Sequence, residues 1–137
     1  NRFYIVRTSW LYGRSGKNFV DTVLKILSER DSIDVVNDQT GSPTYTHDLA
    51  VKLRELIGKG YGIYHITNSG SCTWHDFAVE IARIKGIDKK INQTTSDKFI
   101  LPAKRPVYSV LGNTMLRLEG IEPVRHWKEA LAEYLRG

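Results

Sequence analysis

The polar stretch at residues 35–48 holds the densest set of side chains that could meet a ligand. It reads Val-Val-Asn-Asp-Gln-Thr-Gly-Ser-Pro-Thr-Tyr-Thr-His-Asp, so two β-branched residues precede a run of small donors and acceptors. One glycine and one proline favour a loop, and loops held by a rigid frame often carry binding residues. We therefore expect Gln39 and Thr44 to offer hydrogen bonds to a ligand. Thr46 is expected to cap a helix that has Asp48 in its first turn.

Aromatic and basic side chains stand beside two other predicted loops. Trp10 follows an apolar segment that predicts a strand, and Arg105 is followed directly by Pro106. An arginine in a proline-stiffened loop can bind a phosphate group through two nitrogens at reduced entropic cost. An aromatic ring at a strand end can pack on a sugar or a base. The residues alone leave a second interpretation equally open, in which Trp10 is core and Arg105 is an ordinary surface residue.

Several other kinds of chemistry lack their motifs in this sequence. No two histidines stand four residues apart with a glutamate between them, and no serine stands in a Gly-x-Ser-x-Gly turn. Cys72 is the single cysteine, and the sequence indicates no partner that would activate it. Gly13 and Gly16 lack the third glycine of a dinucleotide-binding turn. We predict a plain connector at these glycines, an inert thiol, and no histidine- or thiol-based metal site.

Composition indicates one globular domain of 137 residues, with 41% hydrophobic and 26% charged residues. No apolar run approaches the ~20 residues that cross a bilayer, so we expect no membrane association. The net charge of +5 suits a phosphorylated ligand, but the basic residues are scattered, which disfavours nucleic acid. A single cysteine fits a reducing compartment, so we expect a cytoplasmic protein. The chain starts at Asn1, directly before an apolar run, and we expect it to be a piece of a longer protein.

Apolar periodicity predicts strands and helices in alternation along the chain. Leu49, Leu53, Leu56 and Ile57 are expected to form the inner stripe of the second helix. His75 and Glu80 are expected to be solvent-exposed, and the two prolines at 101–106 make that segment irregular. The predicted strands cover residues 4–9, 33–36, 63–67 and 91–95, and the predicted helices begin at Asn18, Thr46, Thr73, Asn113 and after Pro123. This order predicts a mixed α/β domain with no internal boundary.

Five motifs resemble the dTDP-4-dehydrorhamnose reductase family of the extended short-chain dehydrogenase/reductase superfamily, in that family's order and spacing. They lie at residues 7–13 (Arg-Thr-Ser-Trp-Leu-Tyr-Gly), 38–50 (Asp-Gln-x-Gly-Ser-Pro-Thr-Tyr-x-x-Asp-Leu-Ala), 62–70 (Gly-x-Tyr-His-x-Thr-Asn-x-Gly), 74–78 (Trp-x-Asp-Phe-Ala) and 105–109 (Arg-Pro-x-Tyr-Ser). The similarity covers residues 1–137, but only the C-terminal half of the family pattern. It implies the end of a Rossmann-like parallel sheet, with residues 1–13 as a late strand, and a small mixed α/β substrate-binding lobe.

The resemblance also implies which parts of the enzyme are absent from this chain. In the family, an N-terminal Rossmann domain binds NADPH or NADH, and a Tyr-x-x-x-Lys pair provides the proton for reduction of the keto sugar. No tyrosine of the sequence is followed by lysine four residues later. We therefore expect no catalytic residue and no bound cofactor in this chain, which should be inactive alone. The full-length enzyme is expected to reduce dTDP-4-dehydro-L-rhamnose to dTDP-L-rhamnose.

The same resemblance implies roles for individual residues in binding a dTDP-sugar. Trp10 is expected to pack beside the deoxysugar, and Arg105 to pair with the diphosphate. Gln39, Thr44 and Asn18 are assigned as substrate contacts from loop position and hydrogen-bonding capacity. Mg²⁺ and a homodimer are further implications of the resemblance.

Three alternative functions stay open at the level of the sequence. The first is a related extended reductase or epimerase that acts on another nucleotide sugar, because details of the pocket decide the base and the sugar. The second is a non-catalytic regulatory subunit that keeps the same fold and binds a partner enzyme. The third is a basic nucleic-acid-binding module.

Overall fold

The computed structural model describes residues 2–99, 103 and 105–137. Leu101, Pro102 and Lys104, on which the prediction of an irregular segment rests in part, lie outside the described residues. The strands are β1 (Tyr4–Arg7), β2 (Leu11–Tyr12), β3 (Ser32–Val36), β4 (Thr40–Gly41), β5 (Thr44–Tyr45), β6 (Gly62–His65), β7 (Cys72–Thr73) and β8 (Lys90–Thr94). The helices are α1 (Phe19–Glu29), α2 (Thr46–Leu56), α3 (Trp74–Lys85), α4 (Thr114–Leu118) and α5 (Trp127–Arg136), and Ser96–Lys98 form a 3₁₀ turn.

The described strands pair in twos, and three of the four pairs are parallel. β1 lies beside β6, β2 beside β5 and β3 beside β8, all in parallel register, whereas β4 and β7 are antiparallel. Parallel neighbours need a long crossover, and helices α1, α2 and α3 lie in the connections between them. The mixed α/β class predicted from periodicity is confirmed.

Local sequence explains where the principal helices begin and end. Asn18 Oδ1 accepts a hydrogen bond from the Asp21 N–H at 3.0 Å and so caps α1 at the predicted helix start. Thr73 and Asp76 form a reciprocal capping box at the start of α3. Gly86 ends α3 with φ of +65°, a left-handed conformation that glycine adopts without steric cost.

Two hydrophobic cores hold these elements together. The larger core packs α1, α3 and α5 against β3, and its fully buried members include Val23, Leu27, Phe77 and Leu131. The smaller core lies under β1 and β6 and is built from Leu56, Tyr64, Ile66, Leu116, Ile121 and Val124. Truncating a large residue in such a core, such as Phe77→Ala, costs about 3–5 kcal/mol. The frame around the loops is therefore rigid.

Helix α2 differs from its predicted form. Thr46 is its first helical residue and forms no side-chain cap. The predicted apolar stripe is right for Leu56, which is buried, and for Leu49, which packs on the smaller core. It is wrong for Leu53 and Ile57, which are exposed, whereas Asp48 is buried. The inward face is turned by about one residue, because the Asp48 carboxylate is drawn into an ion pair with Arg125.

Two polar residues of α3 also lie deeper than expected. Expectations of exposure for His75 and Glu80 are wrong. The His75 ring packs near the Ile91 carbonyl oxygen, at 3.3 Å from Nε2. Glu80 is buried and accepts two hydrogen bonds from Arg83, at 2.6 and 3.0 Å. In the described part of the chain, no helix combines the length and the apolar character needed to cross a membrane.

Candidate functional site

Three of the predicted site residues, Trp10, Gln39 and Arg105, line one cavity of about 230 Å³. They come from distant parts of the sequence. Trp10 follows β1, Gln39 stands between β3 and β4, and Arg105 precedes a segment that pairs with β4. That segment is fixed by two backbone bonds, from the Thr40 N–H to the Val107 carbonyl at 2.8 Å and from the Ser109 N–H to the Thr40 carbonyl at 2.9 Å. The fold therefore brings the guanidinium to the central loop.

Gln39 is the most informative of the three residues. Only 7% of the residue is exposed, and its side chain lines the cavity. Within residues 2–99, 103 and 105–137, its amide has no hydrogen-bond partner. The fully enclosed polar atoms that lack a partner in the described part of the chain do not include this amide, which faces the cavity. A ligand in the cavity would supply the missing partner.

Trp10 is held in an unusual conformation beside Gln39. Its φ is +47°, the only positive value for a non-glycine residue in the described part of the chain. Its indole stacks on Trp74 with ring centroids 3.5 Å apart and planes 8° apart. Such backbone conformations cost about 1–3 kcal/mol and cluster at functional sites.

A second, apolar groove of about 440 Å³ opens from the same place. Helix α1 and strand β3 form its walls, with Phe19, Val23, Ile26, Ile33 and Val35 among the lining residues. Gln39, Trp74 and Arg105 line both the groove and the smaller cavity. The two spaces form one bipartite site, which has room for a flat apolar group in the groove and an anionic or hydroxylated group at its polar end.

Asn18 and Thr44 do not line either space. The Asn18 side chain caps α1 and donates to the Gly13 carbonyl at 3.0 Å. Thr44 is completely buried in β5, and its hydroxyl donates to the Ser42 carbonyl at 3.4 Å. Both residues hold the frame of the site, and the geometry gives neither of them a direct path to a ligand in the cavity.

One residue that lines both spaces was not among the predicted site residues. Trp74 was named only as the first residue of the motif at 74–78, yet it lines both the cavity and the groove. Its position directly after the capping Thr73 was a usable signal. The first residue of a helix points towards the loops that precede it, and so towards the ends of neighbouring strands.

A second polar cluster, centred on Asp48, lies close by but is fully paired. The Asp48 carboxylate accepts hydrogen bonds from Arg125 Nε at 2.8 Å, Arg125 Nη2 at 2.7 Å and Asn68 Nδ2 at 2.7 Å. Asn68 Oδ1 accepts the Tyr45 N–H at 2.9 Å, and Arg125 also pairs with Glu133. Burial raises the pKa of Asp48, but the hydrogen bonds from Arg125 and Asn68 outweigh it and lower the pKa overall. This cluster anchors the central loop.

The described residues offer little for metal or nucleophilic chemistry. They contain no group of three or more His, Cys, Asp or Glu side chains that could hold a metal ion. The Mg²⁺ suggested by the resemblance therefore finds no ligand set there. Burial raises the pKa of the Cys72 thiol to about 12, which keeps it protonated and unreactive at neutral pH. The site is suited to binding.

Known proteins resemble this chain in sequence and in structure. The sequence profile of the RmlD substrate binding domain matches residues 1–137. The dTDP-4-dehydrorhamnose reductase of Streptomyces griseus is 44% identical over 137 residues, which is 95% of this chain and 45% of that protein. The dTDP-4-keto-6-deoxy-D-glucose reductase of Streptomyces niveus is 41% identical over 131 residues, or 94% of this chain and 46% of that protein.

A crystal structure of dTDP-4-dehydrorhamnose reductase from Bacillus anthracis in complex with NADP superposes with a TM-score of 0.93 at 42% sequence identity. The superposition covers 99% of this chain and 48% of that one. The chain therefore spans about half the length of the relatives it matches. The Rossmann-like α/β class predicted from the motifs is confirmed, and the chain belongs to the RmlD substrate-binding domain family.

Proposed function

We propose that this chain is the sugar-nucleotide-binding part of a dTDP-4-dehydrorhamnose reductase. The observation that carries the proposal is the Gln39 side chain, which has no hydrogen-bond partner within the described residues and lines, with Arg105, the junction of an apolar groove and a polar cavity. A nucleoside diphosphate sugar has the matching sequence of groups, with a flat base, a dianionic diphosphate and a hydroxylated ring. Relatives that are 44% and 41% identical are named as reductases of dTDP-linked keto sugars.

Each part of the bipartite site has one role in this proposal. The groove between α1 and β3 takes the thymine ring, because its walls are mainly apolar. Arg105 pairs with the diphosphate, since a guanidinium presents several donors to anionic oxygens. Gln39 hydrogen-bonds to an oxygen of the ligand, and Trp10 contacts the deoxysugar. These contacts orient the C4 carbonyl of the sugar for reduction.

The reduction itself requires groups that these 137 residues do not carry. A reduced nicotinamide supplies the hydride, and we propose NADPH as the cofactor because the Bacillus anthracis relative was crystallised with NADP. The chain contains no glycine fingerprint for a dinucleotide and no Tyr-x-x-x-Lys pair. Both are assigned to another part of the whole protein, and this chain positions the substrate.

An exposed face of the β1–β6 pair supports the further proposal that residues 1–13 continue a larger sheet. Ile5 and Ile63 are cross-strand neighbours, and both are more than two-fifths exposed. The flanking Phe3 and Tyr61 are exposed too. Parallel sheets are normally covered on both faces, so we propose that the cofactor-binding half packs on this face. A cytoplasmic location and a homodimer stay predictions.

Turnover of dTDP-4-dehydro-L-rhamnose tests the proposed function. The full-length protein is expected to oxidise NADPH when the keto sugar is added, and a protein of residues 1–137 alone is expected to give no oxidation. Turnover by residues 1–137 would contradict the assignment of the chemistry to another part of the protein. A full-length protein that binds the sugar nucleotide without turnover would favour the regulatory-subunit alternative.

A second candidate function is reduction of a different dTDP-keto sugar. It is favoured by the 41% identity to a reductase named for dTDP-4-keto-6-deoxy-D-glucose, which is close to the 44% identity to the rhamnose enzyme. The ratio of kcat/KM values for the two keto sugars, measured with one enzyme preparation, separates the candidates. A larger kcat/KM for dTDP-4-dehydro-L-rhamnose supports the first.

A further inference from the structure

The indole of Trp10 is covered on both of its faces. Trp74 stacks on one face, with centroids 3.5 Å apart. A Cβ built on Gly41 would lie 2.4 Å from Trp10 Cε2 and 2.6 Å from both Cζ2 and Nε1, distances that together place it over the ring rather than beside its edge. No Trp74 atom is among the three nearest to that position, so Gly41 lies against the face that Trp74 leaves free.

The glycine at position 41 is explained by this contact and not by backbone conformation. Gly41 does not have the positive φ that favours glycine elsewhere in the chain. It lies in β4 and pairs with Cys72 in β7, a conformation that any residue can adopt. Atoms closer than about 3 Å would overlap, so any side chain here would have to displace the indole. The absence of a side chain creates the space that Trp10 occupies.

We propose that Gly41 and Trp74 are positioning residues that clamp Trp10, so that a bound sugar meets the rim of the indole and not its face. This inference rests on the proposed function, in which Trp10 contacts the deoxysugar. The clamp also accounts for the unusual φ of Trp10. The ring is held between two surfaces, and the Trp10 carbonyl accepts the Thr44 N–H at 3.1 Å, which together outweigh the backbone strain.

The rim offers a different chemistry from the face. A sugar usually packs its C–H groups on an aromatic face, whereas the indole rim presents one N–H donor and the positive edge of the ring. Trp10 Nε1 has no acceptor among residues 2–99, 103 and 105–137. The clamp therefore turns Trp10 into a hydrogen-bond donor and steric stop for a sugar oxygen. It fixes where the sugar can sit without adding affinity for the nucleotide.

The test compares Gly41→Ala with the matched control Gly112→Ala in the full-length protein. Gly112 also lacks a positive φ, but a Cβ there would only touch Thr114 Oγ1 at 3.6 Å, an ordinary contact. Calorimetry measures the Kd for dTDP and for dTDP-L-rhamnose. Gly41→Ala is expected to weaken dTDP-L-rhamnose about tenfold, the equivalent of one hydrogen bond, and to leave dTDP unchanged. Its near-ultraviolet circular dichroism should lose the signal of the stacked indoles, and Gly112→Ala should change none of these quantities.

The outcomes separate this inference from the function on which it rests. No binding of dTDP-L-rhamnose by the wild-type protein overturns the proposed function. Normal wild-type binding with Gly41→Ala unchanged, or with both ligands weakened equally, overturns the clamp alone. If Gly41→Ala does not fold, the single variant Trp10→Ala is compared with the double variant that carries both Trp10→Ala and Gly41→Ala. The clamp predicts the same melting temperature for both, and a lower value for the double variant contradicts it.

Discussion

The Asp48 cluster and the Gln39 cavity place similar polar side chains around the same central loop. Only the Asp48 cluster is saturated, which means that its polar side chains are hydrogen-bonded to one another or to the backbone. Asp48, Asn68 and Arg125 exchange hydrogen bonds among themselves and with the backbone of Tyr45. Gln39, only a few residues earlier, lines a cavity and has no hydrogen-bond partner in the described part of the chain. Pairing therefore distinguishes residues that fold the loop from residues that are free to bind.

Lack of a partner identifies a site only where a cavity is also present. The Tyr12 hydroxyl is buried without a hydrogen-bond partner in the part of the chain that the structure describes, and burial raises its pKa. Its ring packs in the larger core and lines neither the groove nor the cavity. Within the described residues, Gln39 and Arg105 combine unpaired donors with accessible space, and Tyr12 does not.

Removing the centre of the saturated cluster should have the largest effect on stability. Asp48→Ala leaves the Arg125 guanidinium without its main partner, which we expect to cost about 3 kcal/mol, the lower end for buried pairs because Arg125 retains some exposure. Chemical denaturation measures the loss. Glu55→Ala, which removes the partly exposed ion pair with Lys52 on the same helix, is the control and should cost less than about 1 kcal/mol. Equal losses for the two variants would mean that the cluster does not anchor the loop.

A substitution in the unsaturated cavity around Gln39 should weaken ligand binding and leave stability unchanged. Arg105→Ala is expected to weaken dTDP-L-rhamnose by about 2 kcal/mol, or about thirtyfold, through the loss of charge-assisted hydrogen bonds. The melting temperature should stay the same, because Arg105 is exposed. Competition with a fluorescent dTDP analogue measures the affinity. Arg54→Ala, at an exposed position on α2, is the control, and an equal effect of both changes would indicate only a general charge effect.

Two buried amides offer the sharpest contrast between the regions. Gln39→Met is expected to weaken ligand binding by about 1 kcal/mol without lowering stability, because the amide loses no partner within the described chain. Asn68→Leu removes hydrogen bonds to Tyr45, Asp48 and Arg125, and should destabilise the protein by more than about 1 kcal/mol. Thermal melts with and without dTDP-L-rhamnose measure both effects. A destabilised Gln39→Met protein would show that Gln39 also serves the fold.

The smallest expected effect is on how steeply the melting temperature falls at acid pH. Hydrogen bonds from Arg125 lower the pKa of Glu133 and, against burial, that of Asp48. A carboxyl group with a lower pKa in the folded state stabilises the protein above its unfolded pKa of about 4, and this stabilisation is lost as pH falls through the folded value. Melting temperatures between about pH 6 and pH 3 should therefore fall less steeply for Asp48→Asn than for the wild type. Parallel curves would contradict the linkage.

Sequence patterns predicted the parts of the structure that depend on neighbouring residues. Asn18 and Thr73 were identified as helix starts because a capping residue acts within three residues, and α1 followed from its apolar spacing. The inner face of α2 was predicted only in part, because the partner of Asp48 is Arg125, 77 residues later. Trp10, Gln39 and Arg105 were expected at a site from their types and loops. The Trp74 stack, the Gly41 contact and the supporting positions of Asn18 and Thr44 depend on tertiary packing, which no local pattern encodes.

A crystal structure of the full-length protein with dTDP-L-rhamnose would test most directly whether the unsaturated cavity is the binding site. We predict the thymine in the groove beside Phe19 and Ile26, the diphosphate within hydrogen-bonding distance of Arg105, and a ligand oxygen on the Gln39 amide. A sugar nucleotide bound elsewhere, with Gln39 still unpaired and the groove empty, would contradict this assignment.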